Sequence, residues 1–191
     1  MAEIEGLVRA LREGDDAAKT EAARALGGLA GANRDNRVRI AEAGSIAPLV
    51  QLLRDGDAAA KARAAWTLSR LAYYHETADI KVLVAEAGGV PLLVELLRDG
   101  SADAKEAAAW ALYNLARDNA SNTVAIAAAV GLETLVQLAR RGRLTVDKRN
   151  LVHNAALPAK RKAALVVAAL LRDCVPVSVP REIKAVIGPY L

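Results

Sequence analysis

Two stretches, AEAGSIAPLVQLLRDG at residues 41–56 and AEAGGVPLLVELLRDG at residues 85–100, repeat one another 44 residues apart and decide how the chain is read. Each holds an early glycine (Gly44, Gly88), an apolar segment with a proline near its start (Pro48, Pro91) and a closing glycine (Gly56, Gly100). Proline in the first turn of a helix costs little, because the N–H it lacks has no partner there. Closing glycines recur at Gly14 and Gly142, so the spacings along the chain are 42, 44 and 42 residues. Five residues after the first three stand Lys19, Lys61 and Lys105, in the helical segments AAKTEAARALGGLA, AAKARAAWTLSRLA and DAKEAAAWALYNLA.

The unit therefore reads as short helix, tight turn, second helix, glycine turn, longer third helix. In the second helix of the first copy, Ile4, Leu7, Val8 and Leu11 fall at i, i+3, i+4 and i+7, the apolar stripe of an amphipathic helix. Asp15, Asp57 and Ser101 follow the closing glycines and are placed to accept orphan N–H groups at the next helix start. A left-handed residue is expected at both glycine turns, at Gly44 and Gly88 and again at Gly14, Gly56, Gly100 and Gly142. Abundant alanine on the third helices lets neighbouring helices approach closely.

Composition bounds the rest. The chain has 191 residues, enough for one large domain or a short repeat array with a sizeable core. Phe is absent and aromatics are 3%, so the core is aliphatic and Trp66 and Trp110 stand out. No apolar run approaches the roughly 18 to 20 residues that a membrane span needs. The start, MAEIEGLVRALREGD, lacks the basic region and apolar core of a secretory signal, and Ala2 stands where myristoylation needs glycine. A single cysteine, Cys174, forms no internal disulfide, in keeping with a reducing compartment, cytoplasmic or nuclear. The net charge of +4 is uneven. Residues 140–191 carry eleven Lys and Arg against three acids, and residues 1–139 carry 15 bases against 19 acids. That basic third suits an acidic partner, RNA or an anionic surface, but reads first as a solvated face at one end of the array.

A three-helix unit of about 42 residues resembles the armadillo repeat. The residues that carry the likeness are the two stretches quoted first and the helix ends WTLSRLA and WALYNLA that follow them. The resemblance implies an all-α fold, a right-handed α-solenoid of about four repeats whose third helices line a concave groove. The repeats would run over residues 1–31, lacking a first helix, then 32–73, 74–117 and 118–172, with a cap at 173–191. The fourth copy departs from the pattern: Lys160 stands 18 residues after Gly142, which indicates an insertion at 143–157. The second repeat is two residues longer after its third helix, exposing Tyr73, Tyr74 and His75 to a partner. The array starts without a first helix, as a natural cap or a piece of a longer chain would.

The resemblance also implies a function. In armadillo relatives such as importin-α and β-catenin, third helices present residues to an extended peptide, and importin-α uses a W-x-x-x-N pattern. There the Asn amide pairs with the ligand backbone and Trp faces form slots for long side chains. Trp110 and Asn114 match completely. Trp66 is followed by Arg70 instead, the first copy has Arg24 and Gly28, and the fourth has Leu165 and Ala169. Helical spacing extends the face to Trp66, Arg70 and Tyr73 on one helix and to Glu106, Trp110, Asn114 and Arg117 on the next. The alternative reading is that both Trp pack between repeats while Asn114 bonds a neighbouring backbone.

Arg70 disfavours a basic peptide and suits an acidic or phosphorylated one. Nucleic-acid or anion contact through Arg140, Arg141, Arg143, Lys160, Arg161 and Lys162, and self-association through apolar surface left at the array ends, are the other two readings. His75, His153 and Cys174 lack the spacing of a zinc site or hydrolase, and no phosphate-binding glycine loop occurs. The expectation is a non-catalytic protein-interaction scaffold with neither cofactor nor metal.

Overall fold

The computed structural model describes residues 2–73 and 78–117, together with 119, 121, 122, 125, 126 and 129. Among them lie eight α-helices and no strand: α1 (Ala2–Glu13), α2 (Asp16–Ala32), α3 (Arg34–Glu42), α4 (Ile46–Asp55), α5 (Ala58–Leu71), α6 (Ala78–Glu86), α7 (Gly89–Asp99) and α8 (Ala102–Ala116). In the order of the repeat, α3 and α6 are first helices, α1, α4 and α7 second helices, and α2, α5 and α8 third helices. The third helices pack side by side, α5 between α2 and α8, and each second helix packs on the third helix that follows it. None of the described helices is long and apolar enough to cross a membrane.

The amphipathic pattern becomes one continuous core. Ile4, Val8 and Leu11 of α1, Leu49, Val50, Leu52 and Leu53 of α4, and Leu93, Val94 and Leu96 of α7 are all buried. They meet third helices whose inward faces are mostly alanine: Ala22, Ala23 and Ala30 on α2, Ala60, Ala64 and Ala65 on α5, and Ala104, Ala107, Ala108, Ala109 and Ala111 on α8. Small side chains let backbones approach, so inter-repeat bonds form directly. Thr67 Oγ1 lies 2.7 Å from Ala23 O across the α2–α5 seam and 2.9 Å from Arg63 O on its own helix.

The turns divide into two physical kinds. Gly44 and Gly88 are left-handed, with φ of 76° and 80°, as expected between first and second helices. The closing glycines correct the expectation: Gly56 and Gly100 are extended, with φ/ψ of −66°/162° and −68°/171°. What demands glycine there is crowding. A Cβ at Gly56 would stand 2.6 Å from Leu52 O and 2.7 Å from the Ala60 Cβ. Gly14 and Gly100 are crowded alike, by Ala10 O and Leu96 O at 2.5 Å. The next helix starts at once, and its capping residue accepts one of its free N–H groups: Asp15 from Ala18 and Asp57 from Ala60 at 2.8 Å, Ser101 from Ala104 at 3.3 Å.

The fourth repeat beyond residue 129, the insertion at 143–157, the cap, Tyr74, His75, His153, Cys174 and the basic residues Arg140, Arg141, Arg143, Lys160, Arg161 and Lys162 lie outside the described residues.

Candidate functional site

The side chains picked out on α5 and α8 fall into two groups. Trp66 and Trp110 occupy equivalent positions, ten residues after Gly56 and Gly100, and both are half-buried. Trp66 lies against α2, where glycine makes room: a Cβ at Gly27 would stand 2.6 Å from its Cε3. Arg70, one turn on, stacks over the Trp66 ring at 5.2 Å from Cζ to the centroid and lies across Gly31, whose Cβ would meet its Nη2 at 2.7 Å. Trp110 meets Tyr113 edge-on, with ring centroids 6.0 Å apart at 85°. Arg117 reaches from the end of α8 back to the end of α5. Its Nη2 donates to Tyr73 O and its Cζ stands 5.5 Å from the Tyr73 ring centroid. Glu106 is half-buried one turn before Trp110.

Asn114 behaves differently from the other six. It is 2% exposed, and its Nδ2 donates to Ser69 O at 2.9 Å. The last carbonyls of a helix have no partner within it. Tyr73 N–H bonds Arg70 O, and Asn114 supplies the donor for Ser69 O. The amide thus joins α8 to the C-terminal turn of α5, while its Oδ1 is buried without a donor.

This is one case of a wider pattern that helical spacing alone does not show. Asn36 Nδ2 donates to Leu29 O at 3.0 Å and Arg37 Nη1 to Ala30 O at 2.9 Å, both at the C-terminal end of α2. Asn122 Nδ2 donates to Leu115 O at 3.1 Å, again seven residues back. Lys81, 1% exposed, donates from Nζ to Arg117 O at 2.6 Å. Buried cations and amides therefore satisfy the carbonyl ends of third helices, where the helix dipole favours positive charge. The available signal was the pair Asn36-Arg37, placed just after Asn33, which caps α3 by accepting from Asn36 N at 2.8 Å.

On α2 the exposed face carries Arg24, which holds Glu21 through Nε bonds of 2.9 and 3.0 Å, and then Gly28, where a Cβ would meet nothing within 4 Å. Those bonds hold the Glu21 carboxyl below the usual carboxylate range. Among the described residues no group of three His, Cys, Asp or Glu gathers as a metal site. The exposed large apolar side chains there are Tyr73, Val82 and Leu83, none of them on α1 or α2.

A family model described as the armadillo/beta-catenin-like repeat matches residues 33–73 and 77–117. Residues 33–117 thus carry two armadillo repeats. Solved structures share its path. A crystal structure of an engineered protein is 28% identical with a TM-score of 0.74, over 100% of this chain and 68% of that one. A designed armadillo repeat protein in complex with the peptide (KR)4 is 26% identical with a TM-score of 0.71, over 98% and 70%. A computationally designed armadillo protein for modular peptide recognition, at 23% identity and a TM-score of 0.72 over 98% and 70%, shares the fold. None of the curated proteins matches the chain.

Proposed function

We propose that the chain is a non-catalytic interaction scaffold that binds an extended peptide or disordered segment across its third helices, through Trp66, Arg70 and Tyr73 on α5 and Glu106, Trp110, Asn114 and Arg117 on α8. The observation that carries this reading is the pair of half-buried indoles at equivalent positions on adjacent third helices, each with a polar or cationic group beside it. A half-buried indole keeps part of its apolar face in water, where a ligand side chain gains by covering it. The named complex of a designed relative with a peptide points the same way. Asn114 serves by fixing α8 against α5 and so setting the distance between the two Trp. Arg70, standing where the importin pattern has Asn, turns the preference toward an acidic or phosphorylated segment.

The test is peptide display on the protein, followed by calorimetry of the selected peptide with Trp66→Ala and Trp110→Ala, each checked for an unchanged melting profile. Both substitutions are expected to weaken binding at least tenfold, about 1.4 kcal/mol. Retention of full affinity by both folded variants would remove the reading.

A further inference from the structure

The exposed charges of α5 single out one rung of this surface. Arg63, Trp66 and Arg70 lie on one face, and the two arginines are seven residues apart, about 10.5 Å along the axis at 1.5 Å per residue. Both are exposed, and neither pairs with a carboxylate among the described residues. Between them stands the half-buried Trp66. Opposite, α2 offers almost no side chains. Gly27 and Gly31 lie under Trp66 and Arg70, and Gly28 opens on empty space. The charged neighbours on α2 are Glu21 and Arg24, which bond each other, and Glu21 also feels Arg63 across the seam. The local balance is three cations against one anion.

Resting on the peptide-binding reading above, we infer that this α2–α5 rung is an acidic-peptide subsite: an apolar side chain lies over the open Gly28 beside Trp66, and carboxylates on either side of it engage Arg63 and Arg70. Its chemistry follows from the spacing. Arg63 and Arg70 leave the helix about 10.5 Å apart along its axis, with Trp66 between them. They suit separate single charges spread along an extended chain. Arg70 is ordered before the ligand arrives by its stack on Trp66, so less side-chain entropy is lost on binding. The full rung of the sequence pattern, Trp110 with Asn114, lies on the other side of α5, and its amide is already bonded to Ser69 O.

The experiment compares three fluorescent peptides by anisotropy: (Glu-Leu)4, (Gln-Leu)4 and (KR)4. The first is expected to bind at least tenfold more tightly than the second, with affinity falling as salt rises, and the third to bind least. Arg63→Gln and Arg70→Gln are expected to weaken (Glu-Leu)4 by about tenfold each. Gly28→Leu fills this open space with a better helix former, so it is expected to fold at least as well while losing binding. Should (Glu-Leu)4 bind while all three variants keep its affinity, or should (KR)4 bind as well as (Glu-Leu)4, this subsite is wrong and the peptide-binding reading stands. If (Glu-Leu)4 does not bind, or binds no more tightly than (Gln-Leu)4, the subsite falls, and the broader reading is decided by the display-selected peptide.

Discussion

Gly27 and Gly28 are adjacent, both glycine, and opposite in what they do. Gly27 gives Trp66 its seat: an added methyl would press into the indole and stand 2.7 Å from Thr67 Oγ1. Gly28 faces open space on a helix that glycine only weakens. Gly27→Ala is therefore expected to destabilise by about 1–3 kcal/mol through overpacking. Gly28→Ala is expected to stabilise by up to about 1 kcal/mol through helix propensity. Urea denaturation of the two single variants checks the sign of each, and equal effects would refute the seat. Asn114→Ala removes a buried donor from Ser69 O, and an expected cost of about 1–3 kcal/mol is measurable in the same way. The exposed pair Glu21–Arg24 contributes little. Because bonding to Arg24 lowers the Glu21 carboxyl from its ordinary value, what it contributes is present above the unfolded carboxylate range and is lost as pH falls through the folded one.

At the scale of an element, each third helix is held at both ends by side chains. Asp15, Asp57 and Ser101 close the N-termini. Asn36, Arg37, Asn114, Asn122 and Lys81 supply donors at the C-termini. Asp57→Ala is expected to lower stability by about 0.5–2 kcal/mol, seen as a shift of the denaturation midpoint. Lys81→Met keeps the buried stem and deletes the donor to Arg117 O. Its expected cost is about 1–3 kcal/mol, from a carbonyl left without that donor. The caps were legible in the sequence, because an Asp or Ser directly after a closing glycine has one local use. The C-terminal donors were not, since their acceptors lie seven residues back, or 36 and 45 residues away for Lys81 and Asn114, and are brought near only by packing.

For the whole molecule, stability sums over neighbouring repeats, so an interior helix is held from two sides and an end helix from one. Helix α5 packs between α2 and α8, and α1 lies at the amino-terminal edge. Amide hydrogen exchange is expected to be slowest in α5 and fastest in α1. Uniform protection across both would argue against additive stacking. The same topology places the α2–α5 rung and the α5–α8 rung on opposite sides of one helix, so a ligand spanning both must cross α5.

The sequence by itself determined the helical repeat, where its turns and caps fall, and the position of each Trp, because these depend on periodicity and on contacts a few residues long. It also placed Trp66, Arg70, Trp110 and Asn114 on third helices, and the structure keeps them there. Only the tertiary structure decided what those side chains do. Asn114 turned out to bond the neighbouring α5 backbone, Trp66 to lie on a glycine seat, and Gly56 and Gly100 to be extended residues required by crowding. A repeat pattern fixes which face a residue shares, but the partner across the seam is set by how closely alanine and glycine let two backbones approach.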